Sequence, residues 1–266
     1  MTYQKNQILL RADNIQLSYG DKVILRDINF TIQDIVRPNM QQGQVVSLIG
    51  RSGIGKTQLF KILAGMNKPT AGKVSIGEDM HQVCEGEVGV VSQNYILFNH
   101  RTIKTNLEIA LAHNTKNYTD TDKKNIIKEY ADKFNLTEHL DKYPLQLSGG
   151  QRQRVSILQQ ALTSNKFILL DEPFSGLDAL VIDKVVDLLV KISTLDELNT
   201  LIIVSHDIEN TLAISDTAFI LANQPNKVGA TITEKLDLIE MGYAWNNEIR
   251  SDHKFQEMVG QIKFKI

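Results

Sequence analysis

A single cysteine, Cys84, rules out any intrachain disulfide, and with no second Cys or His at metal-ligand spacing it argues against a structural zinc site. A free cysteine of this kind is expected as a small, partly buried apolar residue. Long hydrophobic runs are also missing. No stretch approaches the ~18 apolar residues of a membrane-spanning helix, and the opening Met1-Thr2-Tyr3-Gln4-Lys5-Asn6 lacks the apolar segment of a secretory signal. The expectation is a cytoplasmic protein, or one that reaches a membrane only through a partner. There is little excess of either charge: a formal net charge of −2 sets up no overall field that would gather nucleic acid or anionic lipid, so no nucleic-acid partner is expected. Internal repeats and low-complexity linkers are absent as well.

What remains is a globular composition. Apolar residues at 42% and charged residues at 23% remove the disordered, collagen-like and coiled-coil classes, and 266 residues can bury a large core in one domain or a domain with a subdomain. Short apolar β-branched runs at 45–49, 88–91, 167–170 and 201–204 read as strands of a buried parallel sheet. Helical patterns lie between them, such as Leu59, Ile62 and Leu63, and Val181, Val185, Leu188, Leu189 and Ile192. The alternation implies an α/β sheet covered by helices. From about residue 8 to 33, and around 72–76, short segments separated by turn residues are expected as antiparallel strands beside the main sheet. The stretch 102–160 is mainly helical in pattern. From 224 onward the periodicity weakens, with Leu236, Ile239, Phe255 and Ile262 as apolar anchors.

Gly50-Arg51-Ser52-Gly53-Ile54-Gly55-Lys56-Thr57 fits the phosphate-binding P-loop pattern, follows a strand run and opens a helical one. The glycines let backbone N–H groups wrap phosphates, Lys56 reaches the β- and γ-phosphates, and the Thr57 hydroxyl can take Mg²⁺. Asp171 and Glu172 end the apolar run at 167–170. Asp171 is placed to hold Mg²⁺ through water, which leaves Glu172 to polarise an attacking water. Ser148, Gly149, Gly150 and Gln151 have capping-box spacing ahead of a helical stripe at Val155, Leu158 and Leu162. That is an ordinary helix start, or a second phosphate-binding surface. One nucleotide hardly needs two such cradles from one chain, so the second is expected to serve ATP bound by another copy.

With these three motifs in this order, the chain resembles the nucleotide-binding subunits of ABC transporters over nearly its whole length. The resemblance implies a P-loop NTPase core with a mainly parallel sheet, an antiparallel β subdomain and an inserted helical subdomain at about 102–160. Residues 1–266 would form a single ABC ATPase domain, with a C-terminal extension from about 224 to 266. It implies an ATPase that uses ATP and Mg²⁺, pairs with a second copy or a related subunit, and drives an integral-membrane permease from the inner face of the cell membrane. It also assigns roles: Tyr19 stacks on adenine, Gln93 approaches Mg²⁺ and the attacking water, Asp178 lies in a loop crossing between the copies, and His206 contacts the γ-phosphate. The signature at 148–151 then acts in trans.

Three features depart from the family pattern. Gln58 stands where a second hydroxyl residue usually contacts the α-phosphate, the run Gln33 to Gln42 is long and expected as a surface loop, and the segment 94–102 is loosely similar to importers of nitrate, sulfonate and taurine type. The alternative class, a soluble ABC ATPase of translation or DNA maintenance, usually carries two cassettes or a long coiled coil, and neither is found here. A degenerate cassette used only for binding is opposed by Lys56, Asp171, Glu172 and His206.

Overall fold

The computed structural model describes residues 3–36, 43–114, 118–163, 166–177, 179–193, 199–246 and 248–266. A long antiparallel hairpin, β1 (Gln4–Tyr19) and β2 (Lys22–Val36), begins the fold around the two-residue turn Gly20-Asp21. Two strands of 16 and 15 residues thus replace the several short segments expected there. The turn-forming residues inside them make bulges instead. Asn14 and Asp27 take left-handed backbone, at φ 47° and 48°, next to breaks in the strand register, and Asn29 Oδ1 accepts the Asn14 N–H at 2.8 Å. The run expected as a loop from Gln33 begins as strand: β2 continues to Val36 with Ile35 buried, and 37–42 lie outside the described residues.

The chain then forms β3 (Gln44–Ile49), α1 (Lys56–Leu63), β4 (Ala71–Ile76), β5 (His81–Gln82), β6 (Gly89–Val91), α2 (Ile103–Ala112), α3 (Asp120–Lys133) and α4 (Gly149–Leu162). After these come β7 (Phe167–Asp171), α5 (Ala179–Ser193), β8 (Thr200–Ser205), α6 (Ile208–Ala213), β9 (Thr217–Asn223), β10 (Ala230–Asp237) and α7 (His253–Lys265). One sheet runs in the order β5-β4-β1-β2-β10-β9-β3-β8-β7-β6. The block β9-β3-β8-β7-β6 is parallel throughout, and the β5-β4-β1-β2 end is antiparallel.

The parallel strands are apolar on both faces because each face meets a different layer of helices. Ile202 and Val204 of β8 share a core with Leu59 and Leu63 of α1, while Leu201 and Ile203 share one with Leu158 of α4 and Leu189 of α5. Near the C-terminal end Leu236, Phe255 and Ile262 are buried as expected, but Ile239 is only half-buried and its neighbour Leu238 is the anchor. Leu238 and Ile239 both lie in the turn that follows β10, where the Leu238 N–H donates to Asp216 O at 2.9 Å and the Leu238 side chain joins the core of Leu236, Phe255 and Ile262. Cys84, expected partly buried, is exposed: it follows the short edge strand β5, where its N–H donates to Glu87 Oε2 at 2.6 Å. No helix among the described residues is long and apolar enough to cross a membrane.

Candidate functional site

The site grows from the junction of β3 with α1. All six residues of β3 are buried, so the chain leaves the sheet at Ile49 and turns into α1 through residues 50–55. Gly55, the N-cap, has φ 116°, and a Cβ there would lie 3.0 Å from Leu25 Cδ2 and 3.1 Å from Ile24 Cγ2, so the turn requires glycine. No side chain caps α1 and its first turn carries no acid. Its N-terminal N–H groups and the positive end of its dipole therefore stay available to an anion. Lys56 is buried in this turn. Its Nζ donates to Gly50 O at 2.8 Å and Arg51 O at 3.1 Å, and lies 3.3 Å from Glu172 Oε1.

The acids arrive from β7. Glu172 is held in the left-handed region at φ 51°, a conformation that costs a non-glycine residue roughly 1–2 kcal/mol, and its N–H donates to Val204 O at 2.8 Å. Glu172 Oε2 accepts from Ser205 Oγ at 3.1 Å and His206 N at 3.1 Å, and lies 2.8 Å from His206 Nδ1. One carboxylate thus joins α1, β7 and the end of β8. Asp171 is different: its Oδ1 is buried with no hydrogen-bond partner. Burial, then the Glu172 charge, raise its pKa, against the opposing pull of Lys56 and Lys61. A buried carboxylate oxygen without a donor, sharing a cleft with Thr57 and Gln93, suits a hard cation such as Mg²⁺. The described residues contain no cluster of three or more His, Cys, Asp or Glu placed to hold a metal. Mg²⁺ has no need of one, because it retains waters and takes phosphate oxygens.

These groups border a cleft of about 490 Å³ lined by Tyr19, Ile24, Ser52, Gly53, Gly55, Lys56, Thr57, Gln58, Gln93, Asp171, Glu172, Ser175 and His206. Seven of these residues are read from the P-loop and the Asp171-Glu172 pair, and the family resemblance points to Tyr19, Gln58, Gln93 and His206. Of the rest of the P-loop, Gly50 and Arg51 offer their carbonyls to Lys56, and Ile54 packs into the core. Ile24, Ser175 and Ser205 are site residues that motif reading missed. Ser175, whose Oγ accepts from Gln93 Nε2 at 3.4 Å, sits just ahead of the expected crossing loop, and Ser205 directly precedes His206. Ile24 has no local signal.

The signature is elsewhere. Ser148 caps α4: its Oγ accepts from Gln151 N–H at 3.3 Å, and Gln151 Oε1 accepts from Ser148 N–H at 2.8 Å. A Cβ on Gly149 or Gly150 would meet nothing within 4 Å, and none of the four residues Ser148 to Gln151 lines the cleft. Asp178 lies outside the described residues.

The family model for the ABC transporter matches residues 34–175. The chain is 35% identical over 231 residues to the bicarbonate transport ATP-binding protein CmpC of Synechococcus elongatus, covering 85% of this chain and 34% of that protein. It is 34% identical over 208 residues to the nitrate import ATP-binding protein NrtC of the same species, covering 77% and 30%. The chain thus spans about a third of the length of these two relatives. Among solved structures, the dimeric post-hydrolysis state of the ATP-binding cassette MJ0796 bound to ADP and Pi superposes with a TM-score of 0.67 at 25% identity, over 86% of this chain and 99% of that one.

Proposed function

The chain belongs to the ABC transporter family, and from that premise we propose that it is the ATP-hydrolysing subunit of a transporter, binding ATP with Mg²⁺ in the cleft between α1 and the ends of β7 and β8. The observation that carries this is the convergence of Lys56, Asp171, Glu172 and His206, from three separate segments, around one cleft at the uncapped start of α1. The triphosphate rests on the N–H groups of that first turn. On ATP binding, Lys56 moves its charge from Glu172 to the β- and γ-phosphates. Thr57, Gln93 and Asp171 would hold Mg²⁺, which when bound would neutralise phosphate charge. Glu172, freed of Lys56, orients a water and takes its proton as the water oxygen bonds to the γ-phosphorus. The bond from that phosphorus to the β–γ bridging oxygen breaks, releasing ADP, while His206, held by Glu172, faces the γ-phosphate. This is positioning and electrostatics, with no covalent intermediate on the protein.

The four signature residues stand outside the cleft, which supports a head-to-tail pair in which Ser148, Gly149, Gly150 and Gln151 of one copy close on ATP held by the other, with the loop at Asp178 crossing between them. Residues 1–266 act as one ABC ATPase domain. Within the helical part at 102–160, a helix of the 102–146 region passes motion to a separate integral-membrane permease on the inner face of the membrane, and 224–266 forms an extension. The name of the NrtC relative, a nitrate import protein, favours an importer. Glu172→Gln tests the chemistry: it keeps size and metal geometry, so ATP binding persists while phosphate release falls about 10²- to 10⁴-fold. Turnover within a few-fold of the parent overturns the assignment.

A further inference from the structure

Gln58, directly after the P-loop, is where the chain departs from the family's usual hydroxyl residue, and its side-chain carbonyl is engaged by Tyr19. Three side chains close a ring of hydrogen bonds at the mouth of the cleft. Tyr19 Oη donates to Gln58 Oε1 at 2.9 Å, Asn67 Nδ2 donates to Tyr19 Oη at 3.2 Å, and the same amide donates to Gln58 Oε1 at 3.3 Å. The phenol thus acts as both donor and acceptor, and the Asn67 amide nitrogen lies within reach of both oxygens. Tyr19 is 53% exposed, so packing alone does not hold its ring. Its hydroxyl does.

The backbone around the ring of bonds is also secured. Ser18 N–H donates to Thr70 Oγ1 at 2.9 Å and Thr70 N–H to Gln16 O at 2.7 Å, which ties the end of β1 to the segment after α1. Asn67 reaches this place because the chain turns at Gly65, just past the end of α1. That glycine has φ 72°, a Cβ on it would lie 2.6 Å from the Cys84 carbonyl carbon, and the N–H groups of Met66 and Asn67 fold back onto Lys61 O at 2.9 and 3.1 Å. The segments carrying Tyr19, Gln58 and Asn67 are therefore fixed relative to one another before any ligand arrives.

We infer that Gln58 and Asn67 are positioning residues that hold the Tyr19 ring as a preset platform for the adenine base, so that Gln58 acts on the base end of the nucleotide through Tyr19 and not on its phosphates. The inference rests on the ATP-binding reading above. A ring already held in place loses less freedom when a base stacks on it, so releasing it weakens nucleotide affinity without touching the phosphate site.

The test compares ATP with inorganic tripolyphosphate, which has the phosphates and no base, by calorimetric titration of the chain and its variants. Gln58→Ala and, separately, Asn67→Ala should weaken ATP roughly three- to tenfold and leave tripolyphosphate affinity as it was. Tyr19→Phe should weaken ATP by a similar factor, and the double variant Tyr19→Phe with Gln58→Ala should be no weaker than Tyr19→Phe alone, which already removes both hydrogen bonds to the phenol. A structural disturbance of α1 would move tripolyphosphate too, since that helix start is the phosphate site. Equal weakening of both ligands by Gln58→Ala overturns the inference in favour of a phosphate contact. Unchanged ATP affinity in Gln58→Ala, with Tyr19→Ala weakened by the roughly five- to hundredfold expected for a lost stacking partner, overturns the clamp alone. Unchanged ATP affinity in Tyr19→Ala overturns the stacking reading beneath it.

Discussion

Two helices of this protein begin at glycine-rich turns, and they begin in opposite ways. α1 starts at a left-handed glycine with no capping side chain, closed in by Ile24 and Leu25 and with the buried ammonium of Lys56 in its first turn. α4 starts with a complete capping box from Ser148 and Gln151, and its two glycines face open space. The first leaves its N–H groups for a ligand of its own chain. The second has met part of its own hydrogen-bond demand and presents bare backbone outward, which suits contact with another molecule. In the proposed function, these two similar-looking sequence features divide between holding an anion and closing over one.

The largest expected effect that sharpens this contrast is on nucleotide affinity. Lys56→Ala removes the cation between two carboxylates and the phosphates, and ATP binding should fall by about 10²-fold or more, the scale of losing one partner of a buried charged pair. Ser148→Arg should leave ATP binding by the single chain almost unaltered. A titration in which Ser148→Arg loses as much affinity as Lys56→Ala would place both helix starts on one nucleotide and end the contrast.

Hydrolysis by mixtures comes next. Each of these two variants alone should be deficient in ATP-driven pairing and turnover. Mixed, they can form a hybrid with one doubly damaged interface and one intact interface, so phosphate release should partly return. Mixtures no more active than the separate variants, with hybrid formation shown by differential tagging, would remove the support for action in trans.

A smaller pair of substitutions separates the two glycine turns by stability. Gly55→Ala forces a Cβ into left-handed backbone against Leu25 and should cost about 1–3 kcal/mol of unfolding free energy. Gly149→Ala meets no atom and removes a poor helix former, so it should be neutral or stabilising by up to about 1 kcal/mol, while still reducing pairing. Equal losses in chemical denaturation would show that α4 is as tightly enclosed as α1. The smallest effect belongs to Ser148→Ala, which removes the cap of α4 at about 1 kcal/mol; a thermal melt that does not shift would mean that the capping box contributes nothing.

Much of this was legible in the sequence because the relevant features are contiguous. The β3–turn–α1 unit, the Asp171-Glu172 pair at a strand end and the Ser148–Gln151 box are each local patterns, and the apolar runs of β3, β7 and β8 mark buried parallel strands without help from elsewhere. Where local signals were ambiguous the reading slipped. Asn14 and Asp27 look like turn residues, but the cross-strand partners of a long hairpin absorb them as bulges. Leu238, and not Ile239, is the anchor at the turn that follows β10, where its N–H donates to Asp216 O at 2.9 Å and its side chain joins the core of Leu236 and Phe255.

The amino-acid sequence by itself determined the chemical parts: a glycine turn that leaves α1 uncapped, a lysine and threonine in its first turn, two adjacent carboxylates at the end of an apolar strand, and a capped second helix. These depend on spacing along a few residues, and backbone sterics settle such spacing locally. Only the tertiary structure decided which parts meet. Parallel pairing of β3, β8 and β7 puts their carboxyl ends at one edge, and that edge brings Lys56, Glu172 and His206 into contact across more than a hundred residues of chain. The same three-dimensional closure sets Asn67 beside Tyr19, forty-eight residues away in the chain. No local pattern encodes that distance, because it results from how the hairpin β1–β2 and the end of α1 pack on one sheet.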